Sequence, residues 1–263
     1  MADDVSKLAE AARQLIEAEM QIGGDFLPRR RNPFPQPAAV ANADAPCEEA
    51  SAAPSLAALP PMTAQQKCQA LEDLNAKCVQ QCRACILAGQ RSTVVFGEGN
   101  ADARLVFVGE GPGEEEDRTG RPFVGRAGEL LTKMIAAMGL SREDVYIANM
   151  VKCRPPGNRT PEPAEVAACM PFLLRQLQII APKVIVTLGN PATQNLLKTT
   201  IGITKLRGQW QKLPNLAEGL EGIPVMPTFH PAYVLRNYNE TTRSLVWSDL
   251  QKVMAVLGLK KAK

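Results

Sequence analysis

Four short apolar runs, each followed by a helical pattern, limit the fold of this 263-residue chain more than any other feature. Apolar strands that alternate with helices indicate a parallel sheet that is covered by helices on both faces. The sequence therefore predicts a three-layer α/β/α fold around a central, four-stranded, mainly parallel sheet. The predicted strands are 105–108, 145–148, 184–188 and 225–229, and the helices with apolar spacings of three and four are 127–138, 164–180, 192–197 and 241–257.

The first 63 residues differ in composition from the rest of the chain. Apolar residues at helical spacing predict a helix at 3–21, within an N-terminal segment 1–27. Residues 28–62 contain eight prolines and many alanines, a composition that cannot bury enough apolar surface to order itself. We therefore expect a disordered linker at 28–63. The folded domain is expected at 64–263, beginning with a helix at 64–77.

Charge and composition narrow the setting of this chain. No apolar run reaches the ~18 residues that span a bilayer, and the polar first twenty residues lack the core of a secretion signal. We therefore expect a cytoplasmic, nucleoid-associated protein without a membrane partner. Residues 1–91 contain nine basic and eleven acidic residues, whereas residues 92–263 contain 21 and 16. This modestly basic body is compatible with a nucleic-acid partner, although many metabolic enzymes have as much positive charge.

Three segments follow predicted strands and are expected to share one crevice, because ligands of open α/β sheets bind beyond the carboxyl ends of the strands. They are the loop 109–117, Asn149, and His230 with Pro231. The glycine-rich loop is not a dinucleotide fingerprint, since Glu114 replaces the third glycine and its run of acids would repel a pyrophosphate. It suits a neutral, planar ligand better. His230 is the only histidine of the chain, so any histidine chemistry must use it.

The cysteines form two pairs that suggest a metal site. Seven cysteines in a reducing compartment point to metal ligation more than to disulfides. Cys82 and Cys85 form one C-x2-C pair, and Cys153 and Cys169 form a second, so the four thiolates could hold a zinc ion or an iron–sulfur cluster. The alternative is that Cys169 is a buried helix residue and Cys153 is incidental. Cys78 is a possible substitute ligand, while Cys47 and Cys68 are expected to take no part.

Five segments together resemble the family 4 uracil-DNA glycosylases, the iron–sulfur members of their superfamily. They keep the order and spacing of the family, and the match covers roughly residues 78–256. The resemblance implies removal of uracil from DNA, which leaves an abasic site and is the first step of base excision repair. It also implies a 4Fe–4S cluster of structural role on Cys82, Cys85, Cys153 and Cys169. The five segments are 109–117 (GEGPGEEED), 120–125 (GRPFVG), Asn149, 153–156 (CRPP) and 230–236 (HPAYVLR).

The resemblance also implies how uracil is bound after it leaves the base stack. Phe123 would stack on the flipped base, a contact worth about 1–3 kcal/mol. Asn149 would donate to O4 and accept from N3–H of uracil. Cytosine reverses both hydrogen-bond partners and would be rejected. Glu116 is expected to crowd the C5 position against thymine, or to act in the chemistry.

For catalysis, the resemblance implies stabilisation of the departing base. His230 would donate to uracil O2 in neutral or charged form, and backbone N–H groups near Gly111 would assist it. Related families place at the position of Gly111 an aspartate that serves the attacking water. The residue that positions water is therefore left open, with Glu110 and Glu116 as candidates. The loop has no Arg/His-rich insertion of the kind that bonds covalently to abasic DNA, so hydrolytic turnover is favoured.

The last motif is expected to hold the DNA. Tyr233, Val234, Leu235 and Arg236 would enter the minor groove, with an apolar wedge in the space left by the base and Arg236 on a phosphate. We expect a monomer that acts on single- or double-stranded DNA containing uracil. The amphipathic pattern of the N-terminal helix suggests a tether to a repair or replication partner.

Three other functions are weighed against this one. A nucleic-acid-binding module that has lost catalysis is disfavoured because Glu110, Phe123, Asn149 and His230 are all present. A redox protein would need an electron path, and the sequence shows no flavin or nicotinamide site. A zinc-stabilised metabolic α/β enzyme would differ from the cluster protein in its metal content and colour.

Overall fold

The apolar runs of the sequence form the centre of a sheet in the computed structural model, which describes residues 53–260. The inner four strands are parallel, and a short antiparallel strand pairs with each edge. The order across the sheet is β1-β3-β2-β4-β6-β5. In the described part of the chain, the strands are β1 (Glu98–Gly99), β2 (Leu105–Gly109), β3 (Tyr146–Asn149), β4 (Val184–Leu188), β5 (Gln211–Lys212) and β6 (Pro224–Thr228).

The prediction of a mainly parallel sheet is confirmed, whereas the number of strands needs correction. Within residues 53–260 the sheet has six strands, because β1 and β5 add one short antiparallel strand at each edge of the predicted four. Each of these edge strands is only two residues long, so neither can show the alternation that identifies a strand in a sequence.

Helices cover both faces of the sheet. On one face of the sheet, Val106 and Val108 pack against the helices at 64–74 and 163–180. On the other face, Leu105 and Phe107 pack against the helices at 126–137 and 240–257. This arrangement is the predicted α/β/α sandwich. The α-helices are α1 (Ala64–Leu74), α2 (Glu114–Thr119), α3 (Arg126–Ala137), α4 (Pro163–Ile180), α5 (Asn190–Leu197), α6 (Ile203–Leu206), α7 (Pro231–Arg236) and α8 (Glu240–Leu257). Short helical turns occur at Asn75–Val79, Ile86–Gly89 and Pro156–Asn158. None of the described helices is long and apolar enough to cross a membrane.

Helix α2 explains the acidic run of the loop after β2. Its first turn consists of four consecutive acids beginning at Glu114, and Gly113 caps its N-terminus. Negative side chains stabilise the positive end of a helix dipole, so this acidic sequence favours a helix at this position. The C-terminal end is equally well defined, because Gly120 adopts a left-handed conformation with φ of 72°.

The end of the predicted linker packs against the domain. Residues 53–63 contain no helix or strand, but Leu56 and Leu59 pack against the core. The side chain of Gln178 donates to the Leu56 carbonyl at 2.9 Å, and the Ala58 amide donates to Glu218 at 2.7 Å. The chain therefore joins the domain several residues before the predicted boundary at residue 64. The predicted N-terminal helix and the linker up to residue 52 lie outside the described residues.

The sheet topology places a crevice between β2 and β4. The chain passes from β2 to β3 on one side and from β4 to β6 on the other, so the connections diverge at these two neighbours. Loops that leave adjacent parallel strands in opposite directions open a ligand-binding space at their carboxyl ends.

Candidate active site

A cleft of about 680 Å³ lies at this switch point of the sheet. It brings together the three predicted segments, since Glu110 and Gly111, Asn149, and His230 all line it. Several segments that were not predicted also line it, among them Gly189–Pro191, which follows β4. Gly189–Pro191 follows the third apolar run of the sequence, so its place at the carboxyl end of a parallel strand is the signal that identifies it.

The floor of the cleft is formed by Asn149 and Phe123 where they meet above Gly109. A Cβ atom on Gly109 would lie 2.4 Å from Asn149 Oδ1 and 2.6 Å from Phe123 Cζ, so this position needs glycine. Asn149 is 2% exposed, and within residues 53–260 its Oδ1 is buried without a hydrogen-bond partner. An unpaired buried acceptor costs about 1–3 kcal/mol, which a ligand with a matching donor would recover.

The ring of Phe123 lies between this floor and the only histidine. Phe123 is 6% exposed, and its ring centroid lies 5.7 Å from that of His230, with the planes tilted by 34°. Its φ of 53° lies in the left-handed region, which non-glycine residues seldom adopt. The backbone is therefore held in a costly conformation where the ring faces the cleft.

His230 is held as a neutral imidazole that can donate from Nε2. It caps α7, and its Nδ1 accepts from the Ala232 amide at 3.1 Å, so the proton of the neutral ring is on Nε2. Burial, followed by the charge of Arg236, lowers the pKa of His230 to about 4, while Glu116 acts in the opposite direction. Gly189, with φ of 88°, lets the chain pass close to the ring, since a Cβ there would lie 2.9 Å from the Cβ of His230.

Glu116 is a structural clamp at one wall of the cleft. Its Oε1 accepts from the amides of Val124 and Gly125 at 2.9 and 3.0 Å, and its Oε2 accepts from the amide of Gly113 at 3.1 Å. Three backbone contacts fix the segment next to Phe123. A carboxylate engaged in this way is poorly placed to activate water, which leaves Glu110 as the better of the two predicted candidates.

Glu110 is half-buried at the mouth of the loop after β2. Burial raises the pKa of its carboxyl, and a hydrogen bond with Thr160 opposes that shift. The other acids of the run take structural or solvated places. Asp117 is 5% exposed and accepts from the amides of Ser92 and Thr93, while Glu114 and Glu115 form surface ion pairs.

The residues predicted to hold DNA lie on α7, directly after His230. Tyr233 and Arg236 are exposed and line the cleft, and Leu235 is half-buried. The expectation that Val234 enters the minor groove is wrong, because Val234 is 3% exposed and packs in the core. The helical turn accounts for this difference, since four consecutive residues of a helix cannot all face the same side.

The four predicted cysteine ligands line a second, smaller cavity, in which Cys153 and Cys169 are buried and Cys82 and Cys85 are half-buried. Cys82, Cys85, Cys153 and Cys169 surround it, and Cys78 is not among its lining residues. Cys153 Sγ accepts from Arg91 at 3.2 Å, and Cys169 Sγ accepts from the Lys152 amide at 3.2 Å. Burial raises the pKa of the Cys169 thiol to about 12 and also raises that of Cys153. No three His, Cys, Asp or Glu side chains of residues 53–260 are grouped as ligands of one metal ion.

A buried lysine connects the two sites. Lys152 is 1% exposed, and its Nζ donates to the Asn149 carbonyl at 2.9 Å and to Gln176 Oε1 at 2.5 Å. The segment from Asn149 to Cys153 is therefore fixed at both ends, at the cleft floor and at the cysteine cavity. Sequence reasoning missed this lysine because its neighbours give no sign that it is buried.

A buried phenyl ring, a buried amide and a histidine whose Nδ1 is engaged meet at the switch point of an α/β sheet, an arrangement that suits a neutral, planar ligand. The sequence model of the uracil DNA glycosylase superfamily matches residues 96–251. The type-4 uracil-DNA glycosylase of Thermotoga maritima is 52% identical over 188 residues, which are 71% of this chain and 95% of that protein. The chain therefore belongs to the uracil-DNA glycosylase superfamily, and within it to the type-4 family.

Two further relatives place the chain within the superfamily. The type-4 uracil-DNA glycosylase of Saccharolobus solfataricus is 46% identical over 195 residues, covering 72% of this chain and 87% of that protein. The type-5 uracil-DNA glycosylase of Pyrobaculum aerophilum is 32% identical over 175 residues, covering 61% and 75%. The higher identity and coverage of the type-4 proteins agree with the family expected from the motifs.

Proposed function

We propose that this chain is a hydrolase that excises uracil from DNA and leaves an abasic site, the first step of base excision repair. The observation that carries the proposal is the unpaired Asn149 Oδ1, buried beside the Phe123 ring at the floor of the cleft. A ligand with an N–H donor would satisfy this acceptor. The type-4 relatives bear the name of uracil-DNA glycosylases, and uracil has such a donor at N3.

The oxygen and the NH2 group of the Asn149 side-chain amide select the base. Asn149 Oδ1 accepts from N3–H of uracil, and its NH2 group donates to O4. Cytosine has an acceptor at N3 and an amino group at position 4, so both contacts would become repulsive. A buried site with two mismatched polar groups discriminates by orders of magnitude. Phe123 supplies the stacking face, and Glu116 keeps the 124–125 segment beside that ring.

Bond cleavage relies on stabilisation of the departing base. Negative charge develops on uracil O2, and the neutral His230 donates to it from Nε2, the protonation state favoured by the Ala232 contact. Backbone N–H groups at Gly111 assist from the other side of the cleft. Glu110, whose pKa is raised by burial, positions the water or stabilises the positive sugar. The lowered pKa of His230 supports donation from the neutral ring rather than from the charged ring.

The outer part of the cleft holds the DNA from which the base is flipped. Arg236 contacts a phosphate, and Tyr233 and Leu235 provide apolar surface at the space left by the base. Both Tyr233 and Arg236 line the cleft at its exposed end. The substrate is single- or double-stranded DNA that contains uracil.

We further propose that the cysteine cavity holds a 4Fe–4S cluster through Cys82, Cys85, Cys153 and Cys169. The donor set supports it, because four thiols share the cavity and its other lining residues are Val79, Ala84, Ala88, Arg91, Lys152, Ala168 and Phe172. Four cysteine thiolates are the usual ligand set of a 4Fe–4S cluster. The cluster supplies structural cross-linking when bound. Arg91 and the Lys152 amide then stabilise the negative sulfurs of Cys153 and Cys169.

The remaining expectations about the protein in the cell are also proposals. We infer a cytoplasmic, nucleoid-associated monomer whose N-terminal segment 1–27 tethers it to a repair or replication partner. The amphipathic spacing of residues 3–21 supports the tether. Deletion of residues 1–52 tests it, since the shortened enzyme should keep its excision rate on oligonucleotides and lose only the partner.

The proposed activity is tested with oligonucleotides that carry one uracil, thymine or cytosine at the same position. We expect alkali-sensitive cleavage at uracil alone. The His230→Gln variant should react about 100- to 1000-fold more slowly, as expected for loss of one group that stabilises developing charge. Lys183→Ala is the matched control, because Lys183 is exposed and precedes β4 at the opposite edge of the sheet. Protein that binds the uracil oligonucleotide but leaves it intact would favour the binding-module function.

A further inference from the structure

The unusual backbone of Phe123 must be held in place by other residues. With φ of 53°, Phe123 lies in a region that costs free energy for any residue with a side chain. Such a conformation persists only where the surroundings favour it. Glu116 holds the amides that follow Phe123. The carbonyls of Pro122 and Phe123 are held separately, because both accept hydrogen bonds from one distant side chain.

That side chain is Arg142, which lies in the loop between α3 and β3. Its Nη2 donates to the Pro122 carbonyl at 2.7 Å, and its Nη1 donates to the Phe123 carbonyl at 3.1 Å. The planar guanidinium thus grips two successive carbonyls in a fixed geometry that a lysine cannot reproduce. Nη1 also lies 3.3 Å from Thr132 Oγ1, which ties the grip to α3.

Two further residues, Glu98 and Gly128, support the contact of Arg142 with the two carbonyls. Glu98 Oε1 lies 3.5 Å from Arg142 Nη2, and the same carboxylate forms two shorter hydrogen bonds with Arg121. Gly128 allows the Phe123 carbonyl to approach α3, since a Cβ there would lie 1.9 Å from that oxygen. The carbonyl is therefore enclosed between a helix without a side chain at that point and the guanidinium of Arg142.

We propose that Arg142 is a positioning residue for uracil excision, which acts by locking Phe123 in the left-handed conformation that presents its ring to the base. Arg142 is absent from the residues that line the cleft, so it acts only through Phe123. Without the clamp, Phe123 relaxes towards ordinary backbone angles, and only a fraction of the molecules keeps the ring in place. The rate falls by that fraction. This inference rests on the proposed role of Phe123 as the stacking residue.

The test is a double-mutant cycle on single-turnover excision of uracil. Arg142→Ala should reduce the rate about 10- to 100-fold, as small displacements of positioning groups do. Binding to uracil-free DNA should change less than about twofold, because Arg142 does not line the cleft at which Arg236 is proposed to contact a phosphate. Arg142→Lys should remain slow. Guanidinium ions should partly restore Arg142→Ala, a rescue that general destabilisation would not allow. Thermal unfolding of each variant establishes that it is folded.

The decisive comparison uses Phe123→Ala alone and together with Arg142→Ala. If Arg142 acts through Phe123, the double variant is no slower than Phe123→Ala. Arg121→Ala is the matched control, since Arg121 shares Glu98 but contacts neither carbonyl, and its rate should be that of the wild type. The inference would be overturned if the rate losses of the two single variants multiplied in the double variant. It would also be overturned if Arg142→Ala had the wild-type rate while Phe123→Ala was slow. A wild-type rate for Phe123→Ala would instead remove the stacking role on which the inference rests.

Discussion

The cleft and the cysteine cavity differ in whether their buried polar atoms have hydrogen-bond partners. In the cleft, Asn149 Oδ1 has no partner within residues 53–260, and Phe123 is held with a left-handed backbone. In the cysteine cavity, the sulfurs of Cys153 and Cys169 already accept N–H groups, and apolar residues such as Phe172 close the space. The cleft is open and about 680 Å³ in volume.

This difference corresponds to two kinds of ligand. A site for a ligand that arrives and leaves must keep its recognition groups free between turnovers, at a cost in stability. A site for a permanent group can be closed, with its surroundings arranged around that group. Lys152 joins the two, so the permanent site fixes the backbone from which Asn149 extends. We therefore expect changes in the cavity to lower stability, whereas removal of a recognition group from the cleft should lower activity without loss of stability at neutral pH.

The largest effect is expected at the cysteine cavity. Cys169→Ser should abolish iron binding and the brown colour, and should lower the free energy of unfolding by about 4 kcal/mol or more, because metal binding is coupled to folding. Iron analysis and denaturant unfolding measure both effects. Cys68→Ser is the matched control, since Cys68 is exposed on α1, and it should keep iron and stability. Full stability of Cys169→Ser would contradict the structural role of the cavity.

The next effect is expected in the cleft, at Asn149. Asn149→Leu removes an unpaired buried acceptor, so the free energy of unfolding should stay unchanged or rise by up to about 1 kcal/mol. Excision of uracil should nevertheless slow by about 100- to 1000-fold. Single-turnover rates and denaturant unfolding are the two measurements.

A second buried amide provides the control for Asn149. Gln176 donates to the Phe96 carbonyl and to the Tyr146 hydroxyl, and it accepts from Lys152. Gln176→Leu should therefore lower the free energy of unfolding by about 1–3 kcal/mol, because it leaves buried partners unpaired. Equal losses of stability in Asn149→Leu and Gln176→Leu would contradict the distinction between the two sites.

A smaller effect concerns pH and the single histidine. The pKa of His230 is lowered to about 4 in the folded protein, against about 6.5 when unfolded, so the unfolded chain binds more protons between these values. Above pH 6.5 the ring is neutral in both states. As the pH falls towards 4, the free energy of unfolding decreases because the unfolded chain gains the proton more readily. This decrease should amount to about 2 kcal/mol between pH 7.5 and pH 5. His230→Gln should lack it, which urea unfolding at both pH values would show. Identical pH dependence in the two proteins would rule out a depressed pKa.

The smallest effect lies away from both sites, at the start of α1. Thr63 Oγ1 accepts from the Gln66 amide at 3.3 Å, and Gln66 Oε1 accepts from the Thr63 amide at 2.9 Å. Loss of this capping box in Thr63→Ala should cost about 1 kcal/mol of stability. The excision rate and the iron content should both equal those of the wild type. A change in either would mean that α1 is coupled to one of the two sites.

The sequence predicted the layers of the fold and the shared crevice because these depend on strong local patterns. Apolar runs such as 184–188 can form only buried strands, and the carboxyl ends of parallel strands meet at one edge. Asn149 and His230 were found in this way. The edge strands β1 and β5 were missed because two residues carry no periodicity.

Other features of the site depend on contacts between distant segments. The hydrogen bond of Lys152 to Gln176 and those of Arg142 to the Pro122 and Phe123 carbonyls join residues that are about 20 positions apart in the sequence. The φ of Phe123 is likewise invisible in a sequence, because it is imposed by its surroundings. The direction of Val234 became clear only once the 231–236 segment was known to be helical.

Whether the cleft holds its recognition groups ready for uracil can be observed by nuclear magnetic resonance of selectively labelled protein. Protein with ¹⁵N-labelled histidine gives a single imidazole, and labelled asparagine reports Asn149. Added uracil should shift the His230 Nε2–H and Asn149 side-chain signals in a saturable manner, with the imidazole neutral throughout, and cytosine should shift neither. No response to uracil, or an equal response to cytosine, would contradict the account.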